Sequence, residues 1–453
     1  MTSTKAPSPS SATAGPTAQV RRARWAVSLV FLLNGMSFCA ILPRYPELVD
    51  AIGLSNSAFG LAVGIGPIGG LLAGLGAAGL MRRFGSARTA VAFQMVASTA
   101  HLLVYTAQSW LWLTAALLLA MAADAITDIS MNAHGMRVER RYRRSIMNSY
   151  HGWWSLGAVV GGLLGAACGQ LGVPLWIQGL FGLVVFGALA LVAGTAMLPG
   201  HDTSEREERA AELAASGPAA GSAAEVPSAE LPDAAVSDAA ASGTAGADAT
   251  QGAPARGRWS LAPRTLGMLV ALGMVLVFAG STEDAGGTWS ALFMRSTFEV
   301  GPFVAGLAFV SLQGAQMIGR FTGDAVVDRL GDRMTARVGA VLSALGMTFA
   351  LLLPHPVTAM IGFALAGWGI ATLFPAAFRA ADDMEGVTPG VGITVVGWLA
   401  RLGFFLAPPI VGALADAITL RYALWLMPLY AAGILLFSGV LEGRRTDRHG
   451  PAA

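Results

Sequence analysis

Charged residues are scarce in this sequence. Asp, Glu, Lys and Arg make up 12% of its 453 residues, whereas an ordinary soluble protein is about 25% charged. Lysine occurs once, at Lys5, and the formal net charge is only +2. The charges lie in short clusters between long apolar runs, and no basic stripe alternates with aromatic residues. The composition therefore excludes a typical soluble protein and argues against nucleic acid as a partner.

Cysteines and catalytic motifs are equally scarce. Cys39 and Cys168 lie inside apolar runs without CxxC spacing, so neither a disulfide framework nor a zinc site is expected. The six histidines are scattered, and no HExxH, GxSxG or P-loop pattern occurs. We therefore predict no enzyme activity, no cofactor, no metal and no ATP drive within this chain. A channel is also disfavoured, because neither a selectivity filter nor a ring of like charges is visible.

Long apolar runs dominate what remains. A bilayer core about 30 Å thick is crossed by roughly 20 apolar residues in a helix, and the sequence contains twelve such runs between charges or prolines. They extend approximately over Trp25–Leu42, Ala58–Leu80, Ala90–Ala107, Trp110–Met136, Met147–Gly169, Pro174–Met197, Leu266–Gly280, Phe303–Phe321, Thr335–Leu353, Val357–Phe378, Val391–Ala415 and Ala423–Leu441. We predict an all-α integral membrane protein with twelve transmembrane helices in two six-helix pseudo-repeats.

The order of the runs predicts five regions. These are a disordered N-terminal tail at 1–24, a six-helix half at 25–198, a disordered cytoplasmic linker at 199–260, a second half at 261–441 and a C-terminal tail at 442–453. The first 19 residues lack the charged, apolar and small-residue pattern of a signal peptide. Between His201 and Arg258 the composition is mainly Ala, Ser, Gly, Glu and Asp, which buries too little apolar surface to offset the entropy of ordering.

Arginines predict the orientation, because cytoplasmic loops near helix ends collect positive charge. Clusters alternate with the predicted helices at Arg21, Arg22 and Arg24; Arg82, Arg83 and Arg88; Arg137, Arg140, Arg141, Arg143 and Arg144; Arg329, Arg333 and Arg337; and Arg444, Arg445 and Arg448. The intervening loops carry only isolated arginines, such as Arg44, Arg295 and Arg421. We predict a multi-pass protein of the inner (plasma) membrane with both termini cytoplasmic.

An internal repeat supports two equivalent halves. The loop after the second predicted helix reads RRFGSAR over residues 82–88, and the loop after the eighth reads DRLGDR over residues 328–333. Each places a glycine turn between arginines at the end of the second helix of a half. Repeated halves are the architecture in which a central site alternates its access.

The second of these loops, GDAVVDRLG over residues 323–331, resembles the loop signature of the major facilitator superfamily. Further stretches resemble its branch of fucose permease and related sugar–proton symporters. They are Asp128–Ala133, Glu139, Met147–Gly152, Glu283, Trp289–Ser290, Pro408–Pro409 and Gly412. The resemblance implies a twelve-helix bundle with a midplane cavity, lined mainly by helices one, four, seven and ten, and proton-linked transport.

The same resemblance implies a cytoplasmic gate built from the two loops. Its candidate residues are Arg83, Gly85, Arg88, Gly323, Asp324, Asp328, Arg329, Gly331 and Arg333. Charges in this cluster can pair in one conformation and separate in the other, which would set the equilibrium between the two. The first loop has Arg82 where the signature usually has Asp, so the charge network is expected to be intact only in the second half.

Three polar residues share one face of predicted helix four. Asp124, Asp128 and Asn132 follow i, i+4, i+8 spacing. An ionisable residue at bilayer depth costs roughly 2.5 to 3.5 kcal/mol on insertion scales, so this face must lie toward the bundle interior or water. Either aspartate could carry a coupling proton. Alternatively, Asp128 pairs with an arginine of the following loop.

Other charged residues at depth are Arg401 and Glu283. Arg401 lies near the middle of predicted helix eleven and cannot lose its proton, so it needs a carboxylate partner or an anionic substrate. We consider two roles equally: an anchor for a carboxylated solute, or a fixed ion pair with Asp124, Asp128 or Glu283. Glu283 and Asp284 are predicted to end helix seven near the outer face, followed by Trp289 at the membrane interface. The two carboxylates could be entry groups for substrate or protons, or inert and hydrated.

The remaining polar candidates are His151, Gln313, Gln316 and Asn34. His151 opens predicted helix five and titrates near neutrality, so it could relay protons or form an ordinary hydrogen bond. The two glutamines share a face of helix eight, and Asn34 lies midway along helix one. Their amides suit a polar substrate, but they equally suit links between helices.

Small and helix-breaking residues complete the pattern. Gly66, Gly70 and Gly74 and then Gly157, Gly161 and Gly165 follow small-xxx-small spacing, which predicts close helix packing. Pro375, Pro408 and Pro409 are expected to kink their helices. We predict a monomeric, proton-coupled secondary transporter of a small polar or carboxylated solute. The alternatives are a proton-antiport exporter of a drug or secreted metabolite and, from another class, a membrane sensor or channel.

Overall fold

The computed structural model describes residues 16–142, 144–201, 263–384, 387 and 390–441, and these residues form helices, turns and loops without strands. Lipid offers no hydrogen bonds to the backbone, so a chain this apolar satisfies its peptide groups within helices. Twelve helical segments follow one another, α1 to α12: Ala18–Ile52, Asn56–Phe84, Ser86–Tyr105, Trp110–Tyr142, Met147–Gln170, Leu175–Ala196, Pro263–Phe298, Pro302–Leu330, Asp332–Leu352, Pro356–Asp382, Val391–Ile418 and Leu420–Val440.

Eleven of these segments are long and apolar enough to cross a membrane by length and composition. The exception is α3, the predicted run Ala90–Ala107, which carries Gln94, Ser98 and His101. All three side chains are buried within the protein. These three residues therefore lower the hydropathy of α3 while their side chains stay within the protein.

Four segments are interrupted, and in α12 a turn separates Leu420–Ala423 from Leu426–Phe437. In α1 a 3₁₀ turn at Leu42–Arg44 separates Ala18–Cys39 from Tyr45–Ile52. In α6 a π-helical turn spans Gly182–Phe186. The break in α10 falls between Ile370 and Leu373, shortly before Pro375, as the missing backbone donor of proline predicts. Helix α11 instead runs through both of its prolines.

The N-terminal boundary needs one correction. Residues 18–24, predicted to be part of a disordered tail, form the first turns of α1. The helix starts there because the Thr17 hydroxyl accepts from the Val20 amide, and Val20 and Ala23 are buried. The predicted linker beyond residue 201 and the predicted C-terminal tail at 442–453 lie outside the described residues.

The internal repeat is visible in the backbone. Gly85, between α2 and α3, has φ 82° and ψ 155°, and Gly331, between α8 and α9, has φ 77° and ψ 159°. This conformation is strained for residues with a Cβ atom. Four residues after each glycine, the hydroxyls of Thr89 and Thr335 donate to the Gly85 and Gly331 carbonyls at 2.8 and 2.9 Å. The two predicted loops are therefore equivalent structures.

Both chain ends of the helical bundle lie at one end, which we call the termini end. Near it, Arg24 at the start of α1 donates to the Tyr142 hydroxyl at the end of α4 at 2.8 Å. Likewise Arg333 at the start of α9 donates to the Leu441 carbonyl beyond α12 at 2.9 Å. The opposite end, where α2 begins and α11 finishes, we call the far end.

The hydrophobic cores show how the halves meet. The largest core cluster draws on both halves, and at its centre the Phe59 and Trp289 rings lie 5.6 Å apart, edge to face. Two further clusters, around Leu276 and around Phe31, each belong to a single half. The shared cluster holds the halves together toward the far end, whereas the separate clusters leave each half with its own core toward the termini end.

Small residues set the closest helix contacts, as the small-xxx-small spacing predicted. A Cβ atom on Gly157, Gly161 or Gly165 of α5 would meet the backbone of Leu32, Met36 or Ala40 in α1. On α2, Gly66 and Gly70 face Met121 of α4. The three α5 glycines bring α1 and α5 near enough for polar side chains of the two helices to form hydrogen bonds.

Candidate functional site

A buried amide, Asn34 of α1, lies at the centre of a polar cluster in the first half. Its Nδ2 donates to Asp124 Oδ1 on α4 at 2.8 Å and lies 3.5 Å from Gln94 Oε1 on α3. Its Oδ1 accepts from Trp154 Nε1 on α5 at 2.8 Å. The single amide thus joins four helices, and we call Asn34, Gln94, Asp124 and Trp154 the Asn34 cluster.

Backbone packing explains why Trp154 reaches Asn34. Gly35 lies directly against the Trp154 carbonyl, where a Cβ atom would collide. One turn away, Gly157 lies against Leu32 in the same manner. Because two glycines bring α1 and α5 into backbone contact, the indole of Trp154 lies beside Asn34.

The cluster continues as a polar stripe on α3. Gln94, Ser98 and His101 follow i, i+4, i+7 spacing and are all buried. His101 Nδ1 and the Ser37 hydroxyl of α1 are 3.0 Å apart. The sequence analysis missed this stripe and Trp154, although the helical spacing of polar residues in a poorly apolar run could have revealed the stripe.

The polar face predicted for α4 is present. Asn132 Nδ2 donates to Asp128 Oδ1 at 2.9 Å, one turn below Asp124. Both aspartates and Asn132 are partly exposed. Asp124 Oδ1 accepts its hydrogen bond from the neutral Asn34 amide. His151 is also partly exposed, and the centres of its ring and the Phe31 ring lie 5.3 Å apart in an edge-to-face arrangement.

The position predicted for Glu283 and Asp284 was wrong. They were expected at the outer end of helix seven, but α7 continues to Phe298 and places them near its middle. Thr288 donates to Asp284 Oδ1 at 3.3 Å, and Trp289, expected at the membrane interface, is fully buried. The error arose because the apolar run was ended at the two carboxylates. This part of α7 faces protein, where the free-energy cost of a polar residue differs from that in lipid.

The remaining deep candidates lie in the second half. Gln313 and Gln316 of α8 are buried. Arg401 is half-buried, with its guanidinium 5.6 Å from the centre of the Trp398 ring. All three side chains therefore lie on helices of the second half.

Sequence analysis missed one further charge, Arg320 of α8. Its Nη1 donates to the Ser155 hydroxyl of α5 at 3.3 Å, which is a contact between the halves. Beside it, Gly152 of α5 packs against the Phe321 ring. Arg320 was overlooked because it follows an apolar stretch immediately before the loop signature.

The predicted gate residues lie at the termini end. Gly85 and Gly331 form the turns described above, Gly323 packs against Thr372 of α10, and Arg333 bonds to the Leu441 carbonyl. The charged members Arg83, Arg88, Asp324, Asp328 and Arg329 are exposed. In this region the structure shows an ion pair that sequence did not predict, Arg379 of α10 with Asp332 at 3.0 Å.

Polar contacts also join the halves at the far end. Asp416, near the end of α11, accepts from the Asn56 and Ser57 amides at 3.0 and 2.8 Å and from Asn56 Nδ2 at 2.9 Å. Thus a carboxylate of one half caps the first turn of α2 in the other. A weaker pair, Arg295 with Asp50, spans 3.4 Å between exposed side chains.

Two pseudo-equivalent six-helix halves with a polar interior define the fold of a multi-pass membrane transporter. Within the described ranges, no group of three or more His, Cys, Asp or Glu side chains could hold a metal ion. The family model of the Major Facilitator Superfamily matches residues 27–282 and 272–453. The chain belongs to the Major Facilitator Superfamily, and it is a transporter and not an enzyme.

Relatives agree with this assignment. The membrane protein MosC of Rhizobium meliloti is 25% identical over 91% of this chain and 88% of its own length. An uncharacterized MFS-type transporter of Yersinia pestis is 24% identical over 87% of this chain and 89% of its own length.

Solved structures show the same fold. A bacterial homologue of the human lysosomal transporter Spinster, inward-facing and unoccupied, aligns with a TM-score of 0.64 at 15% identity over 97% of this chain and all of its own. The nucleoside transporter NupG aligns with a TM-score of 0.63 at 11% identity over 94% and 99% of the two chains.

Proposed function

We propose that this protein is a proton-coupled secondary transporter of a small polar or carboxylated solute. It acts as a monomer in the cell's inner membrane, with both termini cytoplasmic, and it resembles the sugar–proton symporter branch of its family. The observation that carries the proposal is Asp124, a carboxyl in the middle of α4 whose hydrogen-bond donor is the neutral amide of Asn34.

A neutral donor suits a carboxyl that changes its proton occupancy. A fixed guanidinium partner would hold the carboxylate permanently charged, whereas an amide can bond to either form. Ionisable residues inside membrane segments are costly and mark proton relays and substrate paths. Asp124 is therefore our first choice for the coupling site, and Asp128, one turn away, is the second.

Alternating access is supported by the uneven junction of the halves. The shared core and the Asp416 cap close the far end, while the cores around Leu276 and Phe31 stay separate toward the termini end. With the termini cytoplasmic, this conformation faces inward. Rocking the halves would open the far end and close the other.

The polar interior supports a polar solute. Asp124, Asp128 and Asn132 lie on one half, and Glu283 with Asp284 lies at similar depth on the other. Hydrogen-bonding and charged groups at this depth suit hydroxyl, amide or carboxylate groups and would be poorly matched by an entirely apolar ligand.

A screen in proteoliposomes tests the proposal. We expect an imposed proton gradient to drive accumulation of at least one sugar or organic acid, with a proton ionophore abolishing the accumulation. Antibiotics should be tested with the proton gradient imposed in both directions. If only these compounds are transported, and they move opposite to the protons, the exporter is supported instead. Transport that is indifferent to the proton gradient would contradict proton coupling.

Arg401→Gln tests whether the solute carries an anionic group that binds this guanidinium. Hydrogen bonds to charged groups contribute about 1.5 to 3 kcal/mol, so we expect roughly 10- to 100-fold weaker apparent affinity for a carboxylated substrate. The measurement is the concentration dependence of initial uptake. Arg421→Gln is the control, since Arg421 binds the Leu351 carbonyl at the far end; unchanged uptake by Arg401→Gln would remove Arg401 from the site.

A further inference from the structure

Two consecutive residues of α5 bond to different halves of the protein. Trp154 Nε1 donates to Asn34 Oδ1 at 2.8 Å, within the first half. The next residue, Ser155, accepts from Arg320 Nη1 of the second half at 3.3 Å. Successive helical side chains point about 100° apart, so one turn of α5 connects the Asn34 cluster to the opposite half.

We propose that Trp154 is a positioning residue that transmits the protonation state of Asp124, through Asn34, to the α5–α8 contact between the halves. This inference rests on the proposed proton coupling at Asp124. It assigns Trp154 and Ser155 a role in coupling the proton to the rocking of the halves, beyond the proton site itself.

The link works because Asn34 uses both ends of one planar amide. Its Nδ2 bonds to the Asp124 carboxylate, and its Oδ1 bonds to Trp154. A hydrogen bond to a charged acceptor is roughly twice as strong as one to a neutral acceptor. When Asp124 takes a proton, this hydrogen bond weakens, and Gln94 Oε1, now at 3.5 Å, competes for the same Nδ2.

Gln94 is suited to be that competing acceptor. Its side chain is fully buried, and its Nε2 has no hydrogen-bond partner among the described residues. Turning the Asn34 amide toward Gln94 moves Oδ1 with it, because the two atoms are rigidly joined. The hydrogen bond to Trp154 must then shift or break, and the indole follows.

Helix α5 can pass this movement to the second half because it packs closely against α1 on one side and against α8 on the other. Gly157 and Gly161 contact the α1 backbone. On the other side, Gly152 packs against Phe321 and Gly162 against Phe309, both in α8. Packed interfaces of this kind respond to a small shift by switching between arrangements, since they deform little.

Other titratable groups on α4 and on the helices near it must be controlled. They are Asp128 on the same helix, Cys39 on α1, His101 on α3, His151 on α5 and Glu283 on α7. The pH response of Asp124 is therefore defined by the part of the total response that Asp124→Asn removes.

The test needs no substrate, because protons are the probe. Nitroxide labels on cysteines at Arg140 and Met334, exposed residues at the termini ends of the two halves, report their separation by pulsed EPR, with Cys39 and Cys168 replaced by alanine. Between about pH 8 and about pH 4, a window that covers imidazole titration and reaches that of carboxyl groups, we expect the distance distribution to change, and Asp124→Asn to remove most of that change.

Trp154→Phe keeps an aromatic ring at this position but removes the indole N–H that donates to Asn34. Loss of one hydrogen bond of about 1 kcal/mol should reduce, by about fivefold, the pH-driven change in the equilibrium constant between the two conformations. Ser155→Ala should reduce it in the same direction. Trp153→Phe is the matched control, because Trp153 packs against the Trp25 ring at 5.9 Å and is outside the Asn34 cluster; it should retain the wild-type response.

The outcomes separate the two ideas. If Asp124→Asn removes the response and Trp154→Phe leaves it unchanged, the Trp154 link is wrong while coupling at Asp124 stands. If Asp124→Asn leaves the response intact, or the wild type shows none, coupling at Asp124 fails and the link fails with it. Equal losses in Trp153→Phe and Trp154→Phe would indicate a general packing effect and overturn the assignment.

Discussion

Asp124→Asn is expected to abolish proton-driven accumulation of the substrate. The asparagine amide keeps the size of the side chain and can still bond to Asn34, but it cannot bind or release a proton. Exchange of labelled for unlabelled substrate needs no net proton movement and should continue. The measurement is uptake into proteoliposomes with and without a pH gradient, using the solute that the screen identifies.

Two variants sharpen this result. Asp128→Asn removes the neighbouring carboxyl, whose oxygen bonds to Asn132, and should retain accumulation if Asp124 is the coupling site. Asp124→Glu keeps a titratable group and should restore part of the activity. Normal accumulation by Asp124→Asn, or its loss only in Asp128→Asn, would move the coupling role from Asp124.

Asp416→Ala is expected to open the far end. Its carboxylate accepts two backbone amides and one side-chain amide from the first turn of α2. Removing a helix cap costs about 0.5 to 2 kcal/mol, and here the cap bridges the two halves. The upper part of this energy range, about 1 to 2 kcal/mol, corresponds to a roughly 5- to 30-fold higher ratio of open to closed far end.

Labels at Gln108 and Leu353, exposed far-end residues of the two halves, would measure this opening by pulsed EPR. Asp50→Ala is the matched control. It removes the ion pair with Arg295, whose side chains are 68% and 36% exposed, and such exposed pairs contribute about 0 to 1 kcal/mol. Equal effects of the two variants would refute the special role of the Asp416 cap.

Much of the architecture could be predicted from local features. Apolar runs located all twelve helical segments, because a segment in lipid must satisfy its own backbone. The loop motifs predicted equivalent turns, and Gly85 and Gly331 adopt nearly the same conformation. The i, i+4, i+8 spacing placed Asp124, Asp128 and Asn132 on one face of α4, since helical geometry fixes that relation.

The wrong predictions concern residues whose free-energy cost of burial depends on whether lipid or protein surrounds them. Glu283 and Asp284 were read as a helix end because a carboxylate is expensive in lipid, yet they lie in the middle of α7 among protein neighbours. Trp289 was placed at the headgroups for the same reason and instead packs against Phe59 between the halves. Hydropathy could not distinguish a helix face that meets protein from one that meets lipid.

By itself, the sequence determined the membrane setting, the repeated six-helix halves, the glycine turns and the polar face of α4. These depend on composition and on spacing along one helix. Only the tertiary structure decided that Asn34 bonds to Asp124 and Trp154, and that Asp416 caps a helix of the other half. Such pairs are 90 to 360 residues apart in the chain, and the packing of whole helices, more than any local pattern, brings them together.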